Sequence, residues 1–243
     1  MQQLTPVIKH LIIINAILFF APQFLNLDLT NILALHFPQN DHFGFWQYVT
    51  HMFMHGSFPH ILFNMYGLWA FGTPLEQMWG KNKFLFFYFS AGIGAGLIYT
   101  LVNYYQFNGI YEIFTSAGLN SSEIISILES GSTTDQRLAN VLTQEQFSKI
   151  VLLYQIPAVG ASGAVYGVLV AFGLAFPNAK LAMIFFPVPI AAKYFIPLMI
   201  LGDLFFGVTK YSIGNVAHFA HVGGAIIGFI IAWYWKKNQF RHY

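Results

Sequence analysis

Two short motifs hold the residues that could do chemistry. Ser162 lies in Gly160-Ala161-Ser162-Gly163, and His221 lies in Ala217-His218-Phe219-Ala220-His221-Val222-Gly223-Gly224. A serine hydroxyl becomes a useful nucleophile when a base takes its proton, and histidine is the side chain most often used for that. The chemistry in view is attack of a hydroxyl on a carbonyl carbon. Each motif opens an apolar stretch, and polar groups inside such stretches are costly enough to carry a functional reading by default. Taken alone, Ser162 reads as a small packing residue between helices, a common use of serine in membranes. Its occurrence together with His221 and with a polar helix face at Asn64 reverses that preference.

The elements that must position these residues belong to a membrane. Of 243 residues, 56% are hydrophobic and 8% charged, against about 25% charged in a soluble domain. The net charge of +2 is too small to suggest a nucleic-acid partner, and no basic tract supports one. With no cysteine there are no disulfides, no thiolate catalysis and no cysteine-based zinc site. The apolar run 11–21 resembles the core of a signal peptide, but Pro22-Gln23-Phe24 follow it instead of a small-residue cleavage pattern. It reads as the first span.

Runs long enough for a bilayer fall at about 7–26, 59–78, 84–105, 161–176, 194–209 and 216–235, predicting six spans. A proline-containing hairpin, 181–192, precedes the fifth. With the N-terminus in the cytoplasm, Lys9, Lys81, Lys83, Lys180, Lys193, Lys236, Lys237 and Arg241 are all inside, eight of the eleven basic residues. The first external loop, 27–58, then has no Lys or Arg, as the positive-inside rule asks. Segment 106–156 holds Glu112, Glu123, Glu129, Asp135 and Glu145 against Arg137 and Lys149. It reads as an acidic external insertion with two short helices, the second starting near Thr143. It either caps the membrane domain or binds a partner, or is a solvated insertion without a specific role. The chain reads as one domain, 1–243.

The fourth run, at roughly 1.5 Å per residue, is about 24 Å long, shorter than the ~30 Å hydrocarbon core. Ser162 is therefore expected below the external surface, at a helix N-terminus. Backbone N–H groups there lack intrahelical partners and can donate to a developing oxyanion. His60 and Asn64, four positions apart, add side-chain donors on one helix face. His51 and His55 have the same spacing, and a two-histidine metal site is conceivable. It is set aside, because neither a carboxylate nor a third histidine stands at matching spacing. His221 is followed by Gly224 and Gly228, a small-residue ridge that lets helix backbones approach closely. Such an approach would bring the imidazole to Ser162. Irregular backbone at that depth, and hydrolysis itself, require a hydrated cavity.

With these residues in hand, the chain resembles the rhomboid intramembrane serine proteases over roughly 45–80 and 158–230. The carriers are His60-Ile61-Leu62-Phe63-Asn64, Gly160-Ala161-Ser162-Gly163-Ala164-Val165-Tyr166, and His221-Val222-Gly223-Gly224 through Gly228. The resemblance implies an all-α, six-helix polytopic bundle. It implies a Ser162–His221 dyad with no third carboxylate and no cofactor or metal. His60, Asn64 and the Ser162 N–H would support the oxyanion beside Gly160, and Tyr166 would pack on the catalytic imidazole. Gly72 and Glu76 fit the family's Gly-x-x-x-Glu feature. Where the family often has Trp-Arg in the first loop, this chain has Trp46-Gln47, which puts the arginine's ion-pairing role in doubt. The loop's structural role would fall to Trp46 and its apolar neighbours.

Four polar residues remain. The glycine register favours His221 over His218 as the base, and His218 is expected at the cavity rim on water or a backbone carbonyl. His51 and His55 are expected to tie the first loop to itself. Asp203, inside the fifth span, could mark a proton path, with pairing to a nearby polar group near the interface the better reading. Glu76 reads as a helix-end carboxylate. The leading expectation is an endopeptidase cutting single-span membrane proteins in or near the bilayer. The alternatives are a catalytically silent relative that binds or escorts client helices, and a small transporter. A bacterial inner membrane, with both termini cytoplasmic, is the expected location.

Overall fold

The computed structural model describes residues 3–183, 186–209 and 217–238. Position 216, where the sixth apolar run begins, and Arg241 lie outside the described residues.

Helix α1 (Pro6–Leu25) starts at a proline, whose missing N–H is one of the donors a helix start leaves free. The next donors, Val7 and Ile8 N–H, are both 3.0 Å from the carboxylate of Glu76, which also accepts from the Thr5 hydroxyl. An anion at a helix N-terminus meets the positive end of the helix dipole. Glu76 is thus a helix-end carboxylate, buried, and it caps a different helix from its own. Gly72 permits the approach, since a Cβ there would lie 2.7 Å from Ile8 Cδ1.

The loop after α1 carries the short helices α2 (Thr30–Leu33) and α3 (Gln47–Thr50). Its organiser is Gln47, fully buried. The Gln47 amide accepts from His36 N–H at 3.1 Å and donates to the carbonyls of His42 at 2.7 Å and Asn31 at 3.3 Å. The loop is therefore tied by a neutral amide where an arginine was the expected family residue. Trp46 contributes one bond, Nε1–H to Ile32 O at 2.7 Å, and is 57% exposed, so the central structural role belongs to its neighbour.

Helix α4 (Phe58–Gly67) is capped by Ser57, whose hydroxyl accepts from His60 N–H. It passes through a π-helical turn, Leu68–Gly72, into α5 (Thr73–Trp79). Gly80, at φ +78°, turns the chain into α6 (Lys81–Ser116), which runs well beyond the expected end of the third span near 105. Helices α7 (Ser121–Ser130) and α8 (Gln144–Gln155) each begin with a capping box, at Asn120/Glu123 and Thr143/Gln146. They fold back on the end of α6 around Phe107, Phe114, Ile124, Leu128 and Ile150, all buried. This second core makes 106–156 a packed unit. Arg137 bridges Glu123 and Asp135 on its surface. Glu123 is held below the usual carboxylate range by the Asn120 N–H and then by Arg137, and Asp135 chiefly by Arg137. What these bonds contribute is present at neutral pH and lost as pH falls through the lowered values.

Helix α9 (Ser162–Ala175) follows, then the antiparallel hairpin β1 (Lys180–Met183) and β2 (Phe186–Ala191), where the proline hairpin was expected. Helix α10 (Ala192–Val208) and helix α11 (His218–Asn238) complete the bundle. Helix occupies most of the described residues of each apolar run. Helices α1, α6 and α11 are long and apolar enough to cross a membrane by length and composition. The protein is an all-α membrane bundle, with one small hairpin among the described residues.

Helices α9 and α11 meet backbone to backbone. A Cβ on Gly224 would stand 1.8 Å from Gly163 O, and one on Gly228 would stand 2.5 Å from Gly167 Cα. Gly163 and Gly167 press in turn on Ala95 and Ala91 of α6. Backbone cannot yield as a flexible side chain can, so Gly224→Ala should cost about 3 kcal/mol or more and lower the thermal midpoint in detergent. Gly109→Ala, whose Cβ meets nothing within 4 Å, should leave the midpoint equal or higher. Gln47→Ala strands the His36 N–H and the His42 carbonyl, at about 1–3 kcal/mol per buried group. The expected readout is faster proteolysis within 27–57.

Candidate active site

The α9–α11 seam brings Ser162 and His221 together. Ser162 Oγ is 2.8 Å from His221 Nε2. Ser162 is the first residue of α9, so its hydroxyl sits beside the free N–H groups of a helix start. Tyr166, one turn further along α9, stacks its ring on the His221 imidazole, with centroids 4.3 Å apart and planes 10° from parallel.

Behind His221 stands Asp203 of α10. Its Oδ1 is 3.1 Å from His221 Nδ1 and 2.7 Å from His218 Nδ1, while Oδ2 accepts from the Tyr166 hydroxyl. The expectation of a dyad without a third carboxylate is corrected here. Asp203 pairs with nearby polar groups, as expected, while the placement of His218 at the rim on water or a backbone carbonyl is corrected: His218 is buried, and its bond goes to a carboxylate. An ionised carboxylate only accepts, so a ring nitrogen bonded to it must carry hydrogen, and Asp203 sets the proton of His221 on Nδ1. Nε2 is then free to accept from Ser162, the tautomer a general base needs. An ionisable residue in an apolar run was the available signal for Asp203.

The opposite wall comes from α4 and the strap before α9. Asn64 is buried, with Nδ2 donating to His60 O at 3.1 Å, which leaves a second amide hydrogen. Gly160 has φ +126°, a region that favours glycine. A Cβ there would lie 2.7 Å from His60 Nε2 and 3.6 Å from Ser162 Oγ, filling the gap between them. Gly160 N–H donates to His51 O at 2.9 Å, and His51 Nδ1–H donates to Gln47 O at 2.7 Å. The ordered loop thereby fixes the strap. His55 packs edge-on against His60 at 5.0 Å. These two histidines, with His51, support the wall.

A cavity of about 1530 Å³ opens onto this cluster. Ser162, His221, His60, Asn64 and Tyr166 all line it. Its lining also includes Phe63 and Tyr66 of α4, Phe195 and Met199 of α10, and Lys149 and Leu152 of α8. A hydroxyl, an imidazole and a carboxylate in series, facing a pocket with amide and imidazole donors, is an arrangement suited to acyl transfer.

Such an all-helical membrane bundle, with serine and histidine on facing helices, defines a class. The family model described as Rhomboid domain matches residues 42–238. The chain belongs to the rhomboid family. It is 27% identical over 188 residues to Rhomboid protein 1, mitochondrial, of Saccharomyces cerevisiae, covering 76% of this chain and 40% of that one. It is 25% identical over 230 residues to Rhomboid-like protein 11, chloroplastic, of Arabidopsis thaliana, covering 93% and 64%. A shorter match, 36% over 52 residues, is to Rhomboid protease GluP of Bacillus subtilis, covering 21% and 10%. The chain thus spans less than two thirds of each of these relatives.

Asp203→Asn should slow acylation of Ser162 by a fluorophosphonate by about 10²–10⁴-fold, because the His221 tautomer is no longer held. Tyr166→Phe keeps the stacked ring and removes one donor to Oδ2, and should slow it by about tenfold. Time courses of probe incorporation measure both.

Proposed function

We propose that this protein is an intramembrane serine endopeptidase that hydrolyses peptide bonds in or near the transmembrane segments of single-span membrane proteins. The observation that carries the reading is the 2.8 Å contact between Ser162 Oγ and His221 Nε2 inside an open cavity. Ser162 attacks the scissile carbonyl as its proton passes to His221 Nε2. Imidazolium forms against Asp203, whose negative charge stabilises it. The oxyanion lies between His60, the free amide hydrogen of Asn64 and the Ser162 N–H. His221 then gives its proton to the leaving amine. A water from the cavity attacks the acyl-enzyme by the same route in reverse, releasing the acid.

Substrate enters laterally between α4 and α10, the reading supported by the aromatic and methionine side chains of both helices that line the cavity. The scissile stretch arrives unwound, since a helix hides its carbonyls in internal hydrogen bonds. Both termini are proposed to be cytoplasmic, on the strength of the basic-residue distribution. A bacterial inner membrane is the proposed location. The likeness to a Bacillus subtilis protease supports it, while other relatives carry mitochondrial or chloroplastic names.

Purified protein in detergent or liposomes should cut a panel of single-span substrates at a position that mass spectrometry can map. Ser162→Ala and His221→Ala should both fall below detection. Cleavage that persists in either variant refutes the mechanism. A wild-type protein that retains client helices without cutting them, and resists fluorophosphonate labelling, would mark it instead as an escort.

A further inference from the structure

His218 is not explained by hydrolysis. Asp203 already orients His221 and accepts from Tyr166, yet a second imidazole is buried against the same carboxylate oxygen. Among the described residues, His218 Nε2 has no hydrogen-bond partner. Two imidazoles and one carboxylate, each offering a ligand atom within 4.8 Å of the others, make a three-ligand set. Zinc bound at ~2.0–2.1 Å in tetrahedral geometry spaces its ligands on the order of 3.3 Å apart. The two Nδ1-to-Oδ1 separations, 2.7 and 3.1 Å, are close to that and need only a slight opening. Three protein ligands leave a fourth position for water, and the cavity that reaches His221 and Ala217 supplies both the water and an entry path.

We propose that Asp203, His218 and His221 form an inhibitory site for a divalent transition ion of the zinc type. The ion takes the Nδ1 lone pair of each imidazole and an oxygen of Asp203. The proton on His218 Nδ1 moves to the Nε2 of that ring, nothing is released, oxidised or reduced, and the proton on His221 Nδ1 moves likewise to its own Nε2. His221 Nε2 then carries hydrogen and faces Ser162 as a donor. It can no longer accept the serine proton, so metal loading switches the base off while leaving the fold in place. Hard ions such as Mg²⁺ and Ca²⁺, which prefer more oxygen ligands, do not compete for such a set. Binding stands independently of the proposed protease activity, whereas inhibition rests on it.

The binding test uses the full chain carrying Ser162→Ala, in detergent, with Zn²⁺ titrated against a chromophoric chelator. One equivalent should bind, unaffected by excess Mg²⁺. Adding His218→Ala should weaken binding at least tenfold, and adding Asp203→Asn should do the same. Circular dichroism on each variant checks that the helices remain. Absence of a saturable single equivalent, or equal binding by a folded His218→Ala variant, overturns the site. The activity arm uses the chain with Ser162 intact: Zn²⁺ should inhibit cleavage, EDTA should restore it, and His218→Ala should shift the inhibitory concentration upward at least tenfold. Tight binding without inhibition overturns the switch and keeps the site. If the protein cleaves nothing, the protease reading fails, and the binding arm still decides the site.

Discussion

The contact of α9 with α11 at the level of bare backbone is the constraint on which the rest depends. Gly163 and Gly167 on one helix face Gly224 and Gly228 on the other, with no room for even a methyl group at the tightest point. In lipid, helices gain little hydrophobic driving force from meeting, so packing at short range has to hold them. That closeness lets a short side chain such as Ser162 reach an imidazole on a neighbouring helix at 2.8 Å. Longer side chains in the seam would separate the two groups before any other feature of the site could matter.

The second requirement is that polar groups in an apolar bundle find partners. Asp203 accepts from three donors, on α9 and α11, and so links three helices through one carboxylate. Hydrogen bonds to a charged group contribute about 1.5–3 kcal/mol each. The same bonds set the hydrogen on His221 and stop its ring from turning, so stability and the state required of a base come from one interaction. A comparable economy appears in the loop. Gln47 satisfies three backbone groups and, through His51, steadies Gly160 beside the serine.

Much of this was legible in the residues. The apolar runs marked where the helices lie, because a span needs a run of apolar residues of bilayer length. Ser162, His221, His60, Asn64 and Gly160 were found from type and spacing and Tyr166 from the family resemblance; five of them line one cavity, and Gly160 stands between His60 and Ser162. The role of Asp203 was not legible, since its partners lie on two other helices and their rotation about their axes is not written in hydropathy. His218 was misplaced for the same reason: the glycine register orders the two histidines but does not say which neighbour the second one meets. The reach of α6 to Ser116 was missed because the helix leaves apolar composition behind while continuing to pack, now against α7 and α8. Gln47 was seen only as a lost arginine. An amide with both a donor and an acceptor can do locally what a guanidinium does by charge, and sequence comparison of charges hides that.

The π-helical turn at Leu68–Gly72 carries a consequence for how such a chain can change. Above it, α4 presents His60 and Asn64 to the cavity; below it, α5 presents Glu76 to the start of α1. Each helical residue advances the helix by about 100°, so the wide turn works as a swivel that sets the azimuth of one end against the other. Loss of one residue there, restoring regular winding, would spin the donors off the serine while the lower anchor stayed seated. Phase between two helix ends, and not only identity at each position, is therefore something this chain has to inherit intact.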